Sequence, residues 1–375
     1  MVYDNEFLDP SYIIVKKFPS STLGAQQTIV EWANVLAAKG PWFVMDKAVL
    51  PPSGNKHDYL SWAPYEWPDC YNVHNKTQLK PEQVWAKCDY VNRDGQFNPD
   101  RLLVNDTSAF QAMSNAVFYN TVAWVLTGSS NYASSAAHFL DTWFINPATA
   151  QTPDLKYAQI HRGPNGQVGT HAGLLDFHQM AKIASAILIL REAKSASWTA
   201  ALDSGMVSWT KAYIKWLTTD SIAHEEQVSA NNHGTLFYNQ LASLHILAND
   251  KPRAIISVTK YFSTLYKAQI EASGEQVSIC IAILRARIRI TKGATIYRCY
   301  NLAAMITNAK IGRYLGLDFW NTTTSHGATI KAATDFTMTQ HLNTTDGDGP
   351  IWELYPSIVA SGAAYGIPKA RTPCF

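Results

Sequence analysis

Hydrophobic residues recur at intervals of three and four along most of the chain, the spacing that places side chains on one face of an α-helix. The clearest case is 107–127, where apolar residues keep this spacing from Phe110 to Val125 and Gly128 follows as a stop signal. The same pattern predicts helices at 25–39, 131–144, 172–194, 197–217, 232–248, 252–272, 298–315, 325–342 and 352–364. Because short turns separate most of these helices, we expect antiparallel helical hairpins.

One segment departs from the helical pattern. Residues 277–290, with the sequence VSICIAILRARIRI, alternate branched apolar residues with arginines, which is the period of a β-strand. No change of composition and no linker rich in Pro, Gly or Ser divides the chain. We therefore predict one all-α domain over residues 1–375, either a bundle or a ring of hairpins. A ring is favoured because aromatic and polar residues collect in long loops at one end of the hairpins.

Charge and hydropathy argue against two classes of partner. The 375 residues carry a net charge of +2 and contain no basic run, so we predict no binding to nucleic acid. The longest apolar stretch, 181–190, is about half of the roughly 20 residues that span a bilayer, so we predict no membrane segment.

Cysteine usage indicates a disulfide rather than a metal site. Of the five cysteines, Cys70 and Cys88 lie at the two ends of a polar loop and fit a disulfide. Such a bond would add roughly 3 kcal/mol by loop entropy. Cys280, Cys299 and Cys374 are left unassigned. The chain has no C-x-x-C motif, so we predict no zinc site.

Sequons and the disulfide favour a secreted protein. N-glycosylation sequons begin at Asn75, Asn105, Asn321 and Asn343. The first residues, MVYDNE, lack the charged and apolar regions of a signal peptide. We expect a secreted, glycosylated monomer from which the signal peptide has been removed.

Four aromatic residues crowd the loop at 57–69. Tyr59, Trp62, Tyr65 and Trp67 alternate there with two prolines, which stiffen the backbone. Flat rings bind the C–H faces of sugars, and Tyr and Trp keep a polar group for hydroxyls. We predict a carbohydrate-binding loop. The alternative is that the rings fill the core at one end of the hairpins.

The run Asn231-Asn232-His233-Gly234 stands at the predicted start of the helix at 232–248. An asparagine there caps the orphan N–H groups of the first turn, but the cap needs only one asparagine. The second amide and the imidazole are uncharged donors that suit a carboxylate. Neutralising the C6 carboxylate of a uronic acid acidifies its C5 hydrogen, whose removal allows β-elimination of the group at O4.

This chemistry also needs a base, and Tyr297 is the candidate. A tyrosine with a pKa of roughly 10 becomes a useful base when nearby cations lower that value. Arg298 follows it, and Arg287 and Arg289 precede it. The alternative is an ordinary tyrosine at a helix start.

Five motifs together resemble the alginate-lyase-like polysaccharide lyases, a group that also contains lyases acting on glucuronan. They run in order from Lys56 to Trp320: KHDYLSWAPYEWPD, NRDGQFNPD, GTHAGLLDFH, SANNHGTLFYNQLASLHIL and YRCYNLAAMITNAKIGRYLGLDFW. The resemblance implies an (α/α) toroid, an incomplete barrel of helical hairpins with a substrate cleft across one end and no metal or other cofactor.

The resemblance also assigns roles to residues. Asn232 and His233 would neutralise the carboxylate of an anionic polysaccharide, and Tyr297 would be the base and also the acid that protonates the leaving oxygen. By the resemblance Tyr59, Tyr65, Trp67, His161, Arg162 and His171 would line the subsites, and we add Trp62 and Asn231 as substrate-binding candidates from the motifs that contain them.

The chain departs from the family at one place. The family has an arginine six or seven residues before the tyrosine, where this chain has Ile290 and Thr291. The surrounding 277–296 is unfamiliar and reads as an insertion or as unspliced sequence. We take Arg289 as the candidate cation and Arg287 as the next.

Stereochemistry narrows the substrate. In β-1,4-linked mannuronate and glucuronate, H5 and O4 lie on the same side of the C4–C5 bond, so one tyrosine can serve both in a syn elimination. In guluronate they are opposed. The sequence does not choose between the two β-linked polymers.

Two other functions stay open. An inverting glycoside hydrolase would need a pair of carboxylates, and the candidates are Asp58, Asp69, Asp176, Glu225 and Glu226. A non-catalytic polysaccharide-binding protein would result if the segment at 277–296 had displaced the arginine.

Overall fold

The computed structural model describes residues 5–93, 95–277, 294–339 and 351–366. Helices dominate this part of the chain, which confirms the all-α prediction. The α-helices are α1 (Ser11–Ile14), α2 (Leu23–Lys39), α3 (Pro81–Lys87), α4 (Asp106–Thr127), α5 (Ser130–Leu140), α6 (Met180–Glu192), α7 (Ala200–Thr219), α8 (Ser221–Gln227), α9 (Asn232–Leu247), α10 (Lys251–Ser263), α11 (Ala294–Tyr314), α12 (Ile330–Thr339) and α13 (Tyr355–Tyr365). Shorter 3-10 helices lie at Ser20–Thr22, Lys76–Gln78, Pro99–Leu103, His171–Phe177, Leu265–Ala268 and Ile351–Leu354, and a π-helical turn lies at Asp141–Ile145.

The chain forms two compact units. The N-terminal unit comprises Phe7–Val228 with Ser243–Lys251, and the C-terminal unit comprises Ser229–Ala242 and Pro252–Phe375 with Met1–Glu6. The single domain expected over residues 1–375 stays a prediction. Each unit is described by itself below.

Helix α4 is the centre of packing in the N-terminal unit, where it contacts α2, α5 and α6. Its apolar spacing buries Phe110, whose ring stacks on Phe177 with centroids 3.9 Å apart and lies 5.4 Å from the ring of Trp143. Gly128 ends the helix with a φ of 76°, as the sequence predicts, because a left-handed residue here suits glycine.

Helix α6 is buried at every position from Met180 to Leu190. The predicted helix at 172–194 begins instead as the 3-10 helix His171–Phe177. The whole segment His171–Glu192 is long and apolar enough to cross a bilayer, yet 83% of its most apolar window is buried inside the protein. That degree of burial is typical of a core helix.

A small antiparallel β-hairpin was not predicted. Strand β1 (Glu66–Asp69) pairs with β2 (Asp89–Asn92), with Glu66 opposite Asn92. The disulfide Cys70–Cys88 joins the two residues that adjoin the paired ends of these strands, which confirms the predicted pairing. Cys299 is buried and unpaired in the described part of the chain. The strand predicted at 277–290 lies, apart from Val277, outside the described residues.

The C-terminal unit has its core around the end of α10. The Phe262 ring stacks on Phe319 with centroids 4.3 Å apart, and Tyr261 and Tyr266 are fully buried beside it. Helix α10 ends at Ser263 rather than at residue 272, because the next residue takes φ −123° and ψ −91° and leaves the helix. Residues 265–268 form a 3-10 helix instead, and residues 269–272 form the first strand of a hairpin.

Removing the disulfide should weaken the N-terminal unit. We expect Cys70→Ser combined with Cys88→Ser to lower the free energy of unfolding by about 3 kcal/mol, since the cross-link restricts the unfolded chain. Urea unfolding followed by circular dichroism measures the change. As a control, a reductant should shift the wild-type midpoint to that of the double variant and leave the double variant unchanged. A midpoint equal in both proteins under oxidising conditions contradicts the prediction.

Candidate active site

Asn231 provides the cap of helix α9. Its side-chain Oδ1 accepts a hydrogen bond from the His233 backbone N–H at 3.0 Å, and its carbonyl accepts the first helical bond from Thr235 at 3.3 Å. Asn231 is therefore engaged in the turn, although it was predicted to bind substrate. Asn232 and His233 are the first two residues of α9, and both are half-buried.

Gly234 allows the chain before α9 to approach the helix closely. A Cβ at this position would lie 2.1 Å from the Ser229 carbonyl oxygen and 2.6 Å from Leu265 Cδ1. Such distances are shorter than van der Waals contact, so a larger residue would push the loop away. The glycine in the Asn-Asn-His-Gly run thus keeps the amide and imidazole where the loop meets the helix.

Tyr297 lies in the first turn of α11 and exposes 41% of its surface. The helix begins four residues before the predicted start, at Ala294. The adjacent Arg298 is buried, and its Nε and Nη2 donate to Glu275 at 2.8 and 2.5 Å. Its charge is therefore neutralised by Glu275, and residues next to each other on a helix do not face each other. Arg287 and Arg289 lie outside the described residues.

The aromatic loop divides into inner and outer rings. Tyr59 and Trp62 expose only 1% and 5% of their surfaces, which matches the alternative that these rings fill the core. Trp62 packs in an apolar cluster with Leu60, Val104, Tyr157 and Ile160. The burial of these two rings does not support the prediction that they bind substrate. Tyr65 and Trp67 are partly exposed and remain available to a ligand.

Asp176 holds the aromatic loop from inside. Its Oδ2 accepts hydrogen bonds from the hydroxyls of Ser61 at 2.5 Å and Tyr59 at 3.1 Å. Thr107 also donates to Oδ2 at 3.2 Å, and the Gln159 amide donates to Oδ1 at 2.9 Å. Burial raises the pKa of the Asp176 carboxyl above its ordinary value despite these donors. The residue joins the loop to the segments at 107, 159 and 176.

A second buried group supports the same loop. Lys47 Nζ donates to the Asp58 carbonyl at 2.5 Å and to Asp106 Oδ2 at 2.6 Å. The same Asp106 oxygen accepts the Leu60 backbone N–H at 2.8 Å. Burial raises the pKa of Asp106 to about 6, although Lys47 lies beside it. The loop backbone is thereby attached to the first turn of α4.

These contacts bear on the carboxylates considered for a hydrolase. Asp58 is buried, and its carboxylate accepts from Ser53, Asn55 and Thr152 at 2.6 to 3.0 Å. Asp176 is likewise committed to the four donors above. Carboxylates so bonded act as structural acceptors, and hydrolysis would need an acid and a base that face a sugar.

Arg162 faces inward as well. Its guanidinium lies between the rings of Trp62 and Tyr90, 4.1 and 4.5 Å from their centroids, and 3.3 Å from Asp100. Burial lowers the pKa of Arg162. Only 7% of the residue is exposed. In this position Arg162 joins Tyr90 of strand β2 to Trp62 of the aromatic loop. Its neighbour His161 is exposed, with Nε2 4.0 Å from Glu66.

His171 forms a pair that sequence reasoning missed. Its Nδ1 donates to Glu226 Oε2 at 2.6 Å, and this hydrogen bond raises the pKa of the imidazole. Glu225 lies 3.7 Å from the other ring nitrogen. Glu226 is fully buried on α8, 55 residues away in sequence. No local sequence pattern predicts this partner, because the contact forms only when α8 packs against the 3-10 helix that contains His171.

Two arginines of the segment after β2 lie beside aromatic rings. Arg93 lies 5.2 Å from the ring of Trp67, and Arg101 lies 4.4 Å from the ring of Phe97. Phe97, which is 55% exposed, also packs at 5.0 Å on Tyr65. Rings and guanidinium groups side by side suit a ligand that has both sugar faces and carboxylates.

The predicted residues are thus distributed over both units. Asn231, Asn232, His233 and Tyr297 belong to the C-terminal unit, where two helix starts carry them. The aromatic loop, His161, Arg162 and His171 belong to the N-terminal unit.

Comparison with known proteins identifies the class. A profile of the alginate lyase family matches residues 43–346, which is most of the chain. The protein is therefore a polysaccharide lyase. It belongs to the alginate lyase family. No curated protein sequence matches the chain significantly.

Solved structures show the same relationship. A crystal structure of an alginate lyase from Bacteroides ovatus superposes with a TM-score of 0.80 at 26% identity, covering 96% of this chain and 92% of that one. Alginate lyase A1-III from Sphingomonas species A1 gives a TM-score of 0.53 at 14% identity, covering 91% and 88%, which shows the fold alone. The predicted (α/α) toroid fold class is confirmed by these relatives.

Replacing Asp176 should destabilise the aromatic loop in a way that depends on pH. We expect Asp176→Ala to lower the free energy of unfolding by about 3 kcal/mol or more, since each buried donor left unsatisfied costs about 1–3 kcal/mol. The exposed Asp69→Ala should stay within about 0.5 kcal/mol of wild type. Chemical unfolding of both variants measures this, and equal stabilities would refute the assigned role.

The pH dependence has a definite sign. A carboxyl with a raised pKa binds its proton more tightly in the folded state, so its contribution to stability is greatest below the ordinary value of 3.8 and declines as pH rises through the raised value. We expect Asp176→Asn to show a smaller decline than wild type when unfolding is measured from pH 3.5 upward, since Asp106, whose pKa is also raised, still contributes. A wild-type slope retained in the variant would contradict it.

Proposed function

We propose that the protein cleaves β-1,4-linked uronate polymers, either poly-mannuronate or glucuronan, by syn β-elimination. The observation that carries the proposal is the start of α9. Because Asn231 takes the capping task, Asn232 and His233 stand at a helix N-terminus with half-exposed side chains. Donors without negative charge at this point suit a carboxylate, because they add no competing anion.

The helix start has the electrostatics that the reaction needs. The aligned peptide dipoles place a partial positive charge at the N-terminus, which favours an anion there. The amide of Asn232 and the imidazole of His233 would donate to the C6 carboxylate of the sugar. As H5 is removed, negative charge moves onto this carboxylate, so donors placed there stabilise the transition state more than the ground state.

Tyr297 would perform both proton transfers. Its phenolate oxygen removes H5, the C5–H electron pair forms the C4–C5 double bond, and the C4–O4 bond breaks with its electrons on O4. The phenol then returns the proton to O4, so the tyrosine is restored. The 41% exposure of this residue is compatible with contact to a sugar. A cation that lowers the pKa of the phenol is still required, and Arg289 stays the predicted one.

The outer surface of the N-terminal unit supports an anionic polysaccharide as substrate. Tyr65, Trp67 and Phe97 offer rings, and Arg93 and Arg101 offer positive charge beside them. The relative from Bacteroides ovatus is described as an alginate lyase, which favours a uronate polymer for this chain as well. The preference between the two β-linked uronates depends on the configuration at C2, the position at which they differ.

Secretion and glycosylation are part of the proposal. The sequon asparagines Asn75, Asn105 and Asn321 are all exposed, as a glycan acceptor must be, and Asn343 lies outside the described residues. The disulfide Cys70–Cys88 supports an oxidising compartment. We also propose that the protein acts on its polysaccharide as a monomer and requires no nucleic acid, membrane or cofactor.

A substrate series tests the reaction. We expect a rise in ultraviolet absorbance, from the unsaturated uronate at new chain ends, with poly-mannuronate or glucuronan and little or none with poly-guluronate. The reason is that one tyrosine reaches H5 and O4 only when they lie on the same side. Reducing ends formed without absorbance would indicate hydrolysis, and binding with neither signal would indicate a non-catalytic protein.

Loss of the phenol tests the base. Tyr297→Phe should reduce kcat at least about 10³-fold, because both proton transfers lose their carrier, while KM changes little. Tyr300→Phe, a tyrosine one helical turn further along α11, is the matched control and should keep near-normal turnover. Substantial activity in Tyr297→Phe would show that another group is the base.

A further inference from the structure

Residues 269–277 form a tight antiparallel hairpin between α10 and the segment before α11. Ile270 bridges Gln276, the Glu271 N–H donates to the Glu275 carbonyl at 2.8 Å, and the Val277 N–H donates to the Gln269 carbonyl at 3.2 Å. Gly274 turns the chain with a φ of 94°, and a Cβ there would lie 2.4 Å from a carbonyl of α12. The hairpin is thus fixed internally and against its own unit.

The first strand of this hairpin holds the start of α9. Gln269 is 1% exposed, and its Nε2 lies 3.1 Å from the Ala230 carbonyl and 3.2 Å from that of Asn231. The same nitrogen donates to Thr235 Oγ1 at 2.8 Å, and Oε1 accepts the Tyr261 hydroxyl at 2.9 Å. One buried amide therefore binds the chain on both sides of Asn232 and His233.

The second strand holds the start of α11. Gln276 is also 1% exposed, and its Nε2 donates to the Arg298 carbonyl at 3.1 Å while its Oε1 accepts Asn301 Nδ2 at 2.8 Å. Next to it, Glu275 binds the Arg298 guanidinium through two hydrogen bonds. These contacts hold the helical turn that directly follows Tyr297.

We propose that the hairpin at 269–277 is a single positioning element that sets the carboxylate-binding pair and the base in register. Gln269 positions Asn232 and His233, and Gln276 positions Tyr297. Both side chains are buried and neutral, where hydrogen bonds are strong and a lost partner is expensive. The inference rests on the proposed elimination, whose rate depends on holding these groups within a fraction of an ångström.

The contacts also explain how the tyrosine keeps its position after an unfamiliar segment. Residues 276 and 298 are joined directly by a hydrogen bond. The register of Tyr297 is therefore set by residues that lie outside 278–293.

Hydrogen exchange tests the coupling without relying on activity. We expect Gln269→Met to increase exchange of the backbone amides at 233–235, and also of those at 298–301 on the other helix. Gln276→Met should likewise increase exchange at 298–301, which it contacts, and also at 233–235 on the other helix. The matched control is Gln151→Met, since Gln151 is a buried glutamine of the N-terminal unit bonded to Trp143 and Asp154; it should affect neither set. If Gln269→Met increased exchange in α9 alone and Gln276→Met in α11 alone, the hairpin would not act as a single element.

Turnover tests the consequence. Gln269→Met and Gln276→Met should each lower kcat per folded molecule by about 10²-fold, with KM within about threefold of wild type, as expected for misplaced catalytic groups. In an Asn232→Ala background, Gln269→Met should cause less than its full loss, because part of its effect passes through Asn232. Equal losses in Gln151→Met, or full additivity with Asn232→Ala, would overturn the positioning role. A wild type inactive on every uronate polymer would instead refute the proposed function, and the exchange result would still decide the hairpin.

Discussion

The hydrogen bond from the His233 backbone N–H to the Asn231 side chain is the contact on which the site depends. A helix start must satisfy its orphan N–H groups, and here the residue before the helix does so. The next two residues, Asn232 and His233, lie at the positive end of the helix dipole, and they are the pair that we propose binds the carboxylate. Gly234 and Gln269 maintain this arrangement, one by leaving room for the Ser229 carbonyl and the other by binding the carbonyls of the turn.

Charge is distributed in a way that suits an anionic ligand. The carboxylates of Asp58, Asp106 and Asp176 are bonded to donors of the loop, and the first two are buried while the third is half-buried. They therefore add little exposed negative charge to the aromatic loop. In the same unit Arg93 lies over the ring of Trp67, and Arg101 lies over the ring of Phe97. Asp106 and Asp176 thus serve the structure of the loop, and burial raises the pKa of both carboxyls.

Periodic features were predictable from the sequence, and contacts between distant segments were not. The spacing of apolar residues located helices such as α4, Gly128 marked the end of that helix, and the disulfide followed from two cysteines around a polar loop. The same reasoning extended α10 to residue 272, because helical spacing continues where Gln269 is in fact recruited into a hairpin. Sequence reasoning also predicted that Tyr59 binds sugar. The sequence does not distinguish an exposed aromatic side chain from one whose hydroxyl binds an aspartate inside the unit. Glu226, the partner of His171, lies too far away in sequence for any local pattern to show.

The central claim is that Asn232 and His233 neutralise a carboxylate so that Tyr297 can remove H5. The most direct test compares Asn232→Ala with wild type on uronate oligosaccharides and on their methyl esters, whose C6 carbonyl carries no charge. If the amide neutralises the acid, the variant should lose about 10²–10³-fold in kcat on the free acid and much less on the ester. An equal loss on both substrates would show that Asn232 does not act on the carboxylate.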